Sequence, residues 1–290
     1  MSPTCLDIES SYCVVLCFVV GPVRHNLLQG DGVWGVTILD NVIYVLRRKD
    51  VEQIAAYDAD SYRLRKKFSV PDLRVAYGIV ACPHCQCLYV SGSYDSCVHR
   101  VALINDAVTN WSVYDTYQGL SVTDTHSVLV TCDKVRKIKE FSTDGKLLRQ
   151  IQLPKDVVSP WHTIQLSSGE FIVCHGRTGD PVHRVCLIDS NGHVVKSYGG
   201  PKRSGTQQMN VPIHLTVDRN GFIFVADLNN DRVLLLSPAL TFVREVLSRD
   251  QLEWTPLRIW LDSDIRRLYV AVGKWEIDKY TAGRVVVVSV

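Results

Sequence analysis

The chain has 290 residues, 46% hydrophobic and 21% charged, with 32 Lys and Arg against 30 Asp and Glu for a formal net charge of +2. That length can bury a sizeable core, and the balanced charge advertises neither a phosphate-rich partner nor an acidic disordered tail. Ten cysteines, at positions 5, 13, 17, 82, 85, 87, 97, 132, 174 and 186, are scattered through a chain too long to need disulfide staples, and read as reduced thiols of a cytoplasmic protein.

The first apolar stretch, Tyr12 to Val20, spans nine residues, where a bilayer-crossing helix needs about 20. Asp7 and Glu9 stand where a signal peptide carries basic residues, so neither a membrane span nor a secretory leader is expected. Beyond it a pattern returns six times: turn residues, a loop, then an apolar triplet ending in Val. The triplets are Ile43-Tyr44-Val45, Leu88-Tyr89-Val90, Val128-Leu129-Val130, Phe171-Ile172-Val173, Ile223-Phe224-Val225 and Leu268-Tyr269-Val270. Their terminal valines lie 40 to 52 residues apart, the length of one unit of four short strands. Asp144-Gly145 and Asn191-Gly192 read as hairpin turns between the third and fourth strands of their units, with Asp58 to Ser61 and Ser237 to Leu240 at the corresponding places.

The fold expected is all-β: a six-bladed β-propeller of four-stranded antiparallel blades at 31–70, 74–113, 117–153, 158–200, 210–248 and 255–290. Residues 1–30 are a leader, and 31–290 are the propeller. The sixth unit runs out after three strands, and Tyr12 to Val20 is a spare β-prone segment, so a strand at about 12–20 is expected to close the ring by covering that edge.

One stretch carries more than rhythm. Tyr198 to Gly205, Val211-Pro212 to Val217-Asp218, and Asn220 to Val233 combine a glycine-rich linker, a proline entry, an Asp-x-x-Gly turn and a Val-x-Asp-x-x-Asn-x-Arg signature. In these features the chain resembles the NHL-repeat family of six-bladed propellers, strongly in the fifth unit, partly in the fourth and sixth, and only by spacing in the first three. The resemblance implies a protein- or RNA-binding module like the propellers of tripartite-motif ubiquitin ligases. It also brings in a related zinc-dependent propeller lyase that completes peptide amidation. No RING, B-box or coiled coil is present, so ligase activity would need other chains or further sequence.

Aligned on their triplets, the units bring one position at the start of each inner strand into register: Gly35, Gly78, Gly119, His162, His214 and Arg258. His162 and His214 each stand two residues after a proline and eleven before the triplet valine. Inner strands line the channel, so these side chains are expected around its mouth. Three readings stay open. The histidines fill space and bond to neighbouring backbone. They and Arg258, whose forked donors suit a carboxylate or phosphate, form an anion- or peptide-end-binding mouth. Or His162 and His214 share a zinc or calcium ion with His175 as a third ligand. Trp34, Tyr77 and Trp161 directly precede the register and serve either as binding anchors or as core.

Weaker signals point nowhere definite. Cys82-Pro83-His84-Cys85-Gln86-Cys87 lacks the second ligand pair of a structural zinc site. Basic clusters at Arg47 to Lys49, Arg63 to Lys67 and Lys134 to Lys139 would make an RNA-facing patch only if they shared a face. No carboxylate holds the shared register, and no nucleophile elbow or phosphate loop is present. The expected function is therefore macromolecular interaction, with a protein or peptide held on one face of a monomeric propeller by His162, His214, Arg258, Trp34, Tyr77 and Trp161. The alternatives are a metal-dependent lyase or hydrolase at the same mouth, or an RNA-binding or substrate-recognition propeller of a ubiquitin ligase. No cofactor is required by the first reading. Removing residues 1–22 is expected to give an unfolded or aggregating protein in a thermal melt; a soluble, cooperatively melting truncation refutes the closure.

Overall fold

A computed structural model describes residues 32–48, 52–92, 96–115, 119–201, 208–276 and 279–290, apart from the side chains of 275–281. The strand expected at 12–20 and most of the glycine-rich linker lie outside the described residues. Six antiparallel sheets follow one another along the chain. Blade 1 is β1 (Val33–Leu39), β2 (Val42–Arg47), β3 (Ile54–Asp58) and β4 (Leu64–Phe68). Blade 2 is β5 (Ala76–Cys82), β6 (Cys87–Gly92), β7 (Cys97–Ala102) and β8 (Val108–Ser112). Blade 3 is β9 (Gly119–Val122), β10 (Val128–Cys132), β11 (Lys137–Phe141) and β12 (Leu147–Gln152). Blade 4 is β13 (Pro160–Gln165), β14 (Phe171–His175), β15 (Val182–Ile188) and β16 (Val194–Pro201). Blade 5 is β17 (Pro212–Val217), β18 (Ile223–Asp227), β19 (Arg232–Leu236) and β20 (Phe242–Leu247). Blade 6 has three strands, β21 (Thr255–Asp262), β22 (Arg267–Glu276) and β23 (Lys279–Ser289).

The triplets are the middle of each second strand, and they are wholly apolar because each blade is covered on both faces. Successive residues of a strand point to opposite faces. Ile43 and Val45 accordingly pack on blade 6, while Tyr44 packs on blade 2. The same division recurs around the ring: Leu88 and Val90 face blade 1 and Tyr89 faces blade 3; Phe171 and Val173 face blade 3 and Ile172 faces blade 5. Leu268 and Val270 face blade 5, and Tyr269 meets Val36, Ile38 and Ile43 of blade 1, which closes the circle of cores. Gly283 of β23 sits so close to blade 1 that a Cβ there would come within 2.6 Å of the Val33 side chain.

The turns form for the expected reasons. Gly145 and Gly192 take positive φ values of 90° and 92°, which glycine reaches without steric cost. Asp58, Asp189 and Asp218 turn their carboxylates onto the backbone N–H groups of the following hairpin. The blade 5 signature is a structural knot. The buried Asp227 carboxylate accepts from the Asn210 backbone at 2.7 Å, Asn230 Nδ2 at 2.7 Å and Arg232 Nε at 2.9 Å. No helix among the described residues is long and apolar enough to cross a membrane.

Phe224 is fully buried between blades 5 and 6. Phe224→Ala is expected to cost about 3–5 kcal/mol, read as a lowered urea midpoint with an unchanged slope.

Candidate functional site

In five blades the inner strand opens with an irregular pairing at one shared place. The register slips between Val33 and Gly35, Ala76 and Gly78, Pro160 and His162, Pro212 and His214, and Pro256 and Arg258. A β-bulge puts one extra residue opposite its partner strand and re-aims side chains. The extra residues are Trp34, Tyr77, Trp161, Ile213 and Leu257. In blade 3 the strand begins at Gly119, where a Cβ would run into the Trp161 carbonyl oxygen, so only glycine lets blade 4 approach.

The bulged side chains converge into a floor. Trp34, Tyr77 and Leu257 form one buried cluster, with Trp161 and Leu228 against it. The Tyr77 ring lies 6.2 Å from Trp34 and stacks on Trp161 at 6.5 Å and 17°. Trp161 Nε1 donates to the Gly176 carbonyl at 3.0 Å, which pins its indole. Above this floor opens a cavity of about 690 Å³, within the usual range for small-molecule sites. Its walls add Ile213, Val211 and Leu228, and its rim carries Arg48, Arg177, Thr178, Asn229, Asp231 and Thr255.

Most rim charges already have partners. Arg177 reaches across from blade 4 to hold Asp133 of blade 3 at 2.8 and 3.1 Å, and its Nε donates to Ser159 at 2.7 Å. The Asp180 carboxylate accepts the Arg177 backbone N–H. Asp231 accepts from Thr255 at 2.7 Å and lies 3.5 Å from Arg249. Asn229 donates to Thr178 of the neighbouring blade.

The six expected binding residues are divided. Trp34, Tyr77 and Trp161 line the cup. His162 and His214 line a second recess of about 450 Å³ at the other end of the inner strands, with Ser121, Thr123, Asp124, His126 and Trp260. Arg258 lies between, 4% exposed, stacked 4.8 Å from the Tyr77 ring centroid and donating to the Leu257 carbonyl at 2.8 Å. His162 and His214 do meet: their rings stack at 3.8 Å and 20°. Stacked rings send their in-plane lone pairs side by side rather than toward one point. His162 Nε2 is engaged by the Leu120 carbonyl at 3.0 Å, and the Ile259 N–H points at His214 Nδ1 at 3.5 Å. His175 lies elsewhere, with Nδ1 on the Val158 carbonyl at 3.2 Å. No three His, Cys, Asp or Glu side chains among the described residues are grouped to hold a metal ion. In this arrangement the pair does not converge on a point where a shared zinc or calcium would sit.

The cup residues Arg48, Arg177 and Asn229 were not singled out from sequence, although a signal existed. They stand three, four and four residues after their triplet valines, at the exits of the second strands on the face where the inner strands begin. The basic clusters are spread over different strands. Arg65, Lys66 and Lys67 lie on the outer strand β4, paired with Asp58, Asp106 and Glu52, while Lys137 and Lys139 lie on β11.

Burial holds His162 neutral, with its pKa pushed down to about 3, and His214 well below the usual imidazole value for the same reason, aided by the neighbouring ring and by Arg258. The unfolded chain binds those protons from about pH 6.5 downward and the folded chain does not. Stability is full above that value and is lost as pH falls. Between pH 7 and 4.5 the unfolding free energy of the His162→Phe variant is expected to drop by about 2–3 kcal/mol less than that of the parent, measured by urea titration at each pH.

No family model and no curated protein matches the chain. Solved structures do. Virginiamycin B lyase from Staphylococcus aureus is 12% identical, with a TM-score of 0.62 over 90% of this chain and 87% of its own. A streptogramin B lyase is 12% identical, with a TM-score of 0.60 over 89% and 93%. A catalytically inactive histidine-to-alanine variant of the Staphylococcus aureus lyase, solved with quinupristin, is 11% identical, with a TM-score of 0.61 over 93% and 99%. Kuenenia stuttgartiensis hydrazine synthase gives a TM-score of 0.61 at 13% identity over 87% and 95%. The chain shares with these enzymes the six-bladed β-propeller fold.

Proposed function

We propose that the protein is a binding module that seats a segment of a protein or peptide in the aromatic cup. The observation that carries this reading is the cup itself: three rings held by bulges, by stacking and by an indole hydrogen bond, under an apolar cavity of about 690 Å³. Such a surface is ordered before the ligand arrives, so little side-chain entropy is lost on binding. Aromatic side chains at the centre with polar groups at the rim are the composition of a binding hot spot. On this reading the protein works as a cytoplasmic monomer, and the NHL resemblance extends it to recognising substrates for a ubiquitin ligase whose catalytic parts lie on other domains.

A second reading, a lyase or hydrolase acting at the same mouth, draws on the comparisons, in which streptogramin lyases share the fold. The side chains favour the first. Among the described residues, the titratable groups facing the cup are Tyr77, whose pKa burial raises, Asp231, already held by Thr255, and the arginines Arg48 and Arg177. None is poised as a general base.

Titrating a random hexapeptide pool against intrinsic tryptophan fluorescence is expected to give a saturable change that is at least tenfold weaker in Trp161→Ala. No saturable change at millimolar peptide overturns the binding reading. Chromatographic turnover of quinupristin in the presence of added zinc or calcium would replace it with the lyase reading.

A further inference from the structure

Among the described residues the charges around the cup do not cancel. Arg177 is used by Asp133, and the carboxylates of Asp180 and Asp231 are engaged as described above. Arg48 is different: its guanidinium lies 4.2 Å over the Trp34 ring, and no carboxylate among the described residues pairs with it. Arg258 repeats this beneath the floor. It is 4% exposed, stacks on Tyr77 and 6.0 Å from the Trp34 centroid, and likewise has no carboxylate partner among the described residues. A buried cation is ordinarily paired. The imidazoles beside Arg258 are held neutral and carry no charge of either sign, and no carboxylate among the described residues offsets it. Lys134 is exposed at the blade 3 position equivalent to Arg177, four residues after its triplet valine, which adds a further cation to this face.

We infer that the cup takes the C-terminal end of a peptide, with an apolar last side chain against Trp34, Tyr77 and Trp161 and the terminal carboxylate on Arg48. The inference rests on the binding reading above and adds the chemistry of the ligand. Two guanidinium groups with no carboxylate partner among the described residues, Arg48 over Trp34 and Arg258 over Tyr77, make the apolar floor electropositive, and they suit a ligand that is apolar and anionic within one residue. Arg48 offers the planar donor fork that a carboxylate accepts, and its stacking on Trp34 orients that fork at little further entropy cost. Thr178 and Asn229 supply hydroxyl and amide groups on the opposite rim for the peptide backbone.

Four ligands and two variants test this by isothermal titration. They are an N-acetylated hexapeptide ending in phenylalanine with a free carboxylate, its C-terminal amide, the same peptide ending in glutamate, and N-acetylphenylalanine. The free-acid phenylalanine peptide is expected to bind at least tenfold tighter than its amide and than the glutamate peptide. Arg48→Gln removes the preference over the amide without weakening amide binding, while Trp161→Ala weakens acid and amide alike. Arg48 is at the rim and outside the blade cores, and an unchanged melting temperature confirms that its variant folds. Equal binding of acid and amide overturns the carboxylate assignment while leaving the cup as a binding site. Binding of N-acetylphenylalanine as tight as that of the peptide overturns the peptide source in favour of a small aromatic acid. No binding by any of the four overturns the inference and the binding reading together.

Discussion

Every sheet in this molecule is covered on both faces, and that constraint shapes the rest. A lone antiparallel sheet buries one side and alternates apolar with polar residues; here the triplet in the middle of each second strand is apolar without interruption because its neighbours press from both sides. The ring follows from this. A stack with two ends would leave two apolar faces in water, and joining the last blade to the first through Tyr269 and Val36 removes both. Closure also fixes the inner strands around one axis, which is what brings five separate bulges to a common point.

The bulges separate two tasks that one residue could not perform. The pair of positions at each strand start sends one side chain up toward the cup and the next inward along the channel. Trp34, Tyr77 and Trp161 take the first direction; Gly35, Gly78 and His162 take the second. The inward position is small where neighbouring strands crowd, as at Gly35, whose Cβ would meet Ile79 at 3.0 Å. It is large where they leave room, and His162 and His214 use that room to stack. The imidazoles thus stack within the channel and line the recess at its other end, while the cup is lined by the residues before them and by the loops leaving the second strands.

Much of this was legible in the amino-acid order. Six triplets at a steady period, Asp-Gly and Asn-Gly between strand segments, and the equivalence of Gly35, Gly78, His162, His214 and Arg258 all correspond to features of the ring. The Asp227, Asn230 and Arg232 positions of the blade 5 signature explain themselves as a buried hydrogen-bonded knot. What could not be read was the split between the two ends of the channel. A bulge inserts a residue without changing composition, so strict alternation from the triplet misassigns which of two adjacent residues faces outward. The rim was missed for another reason. Arg48, Arg177 and Asn229 are each common surface residues, and only their spacing of three or four residues past the triplet valines marks them as a set.

The bulge positions hold Trp34, Tyr77, Trp161, Ile213 and Leu257, with glycine opening the strand of the blade between Tyr77 and Trp161. A ring with six identical positions would offer a ligand six equivalent orientations, a degeneracy worth about 1 kcal/mol of mixing entropy at room temperature. Aromatic rings on one side and aliphatic side chains on the other remove that choice. The cup therefore has a front and a back even though the scaffold around it is close to rotationally uniform.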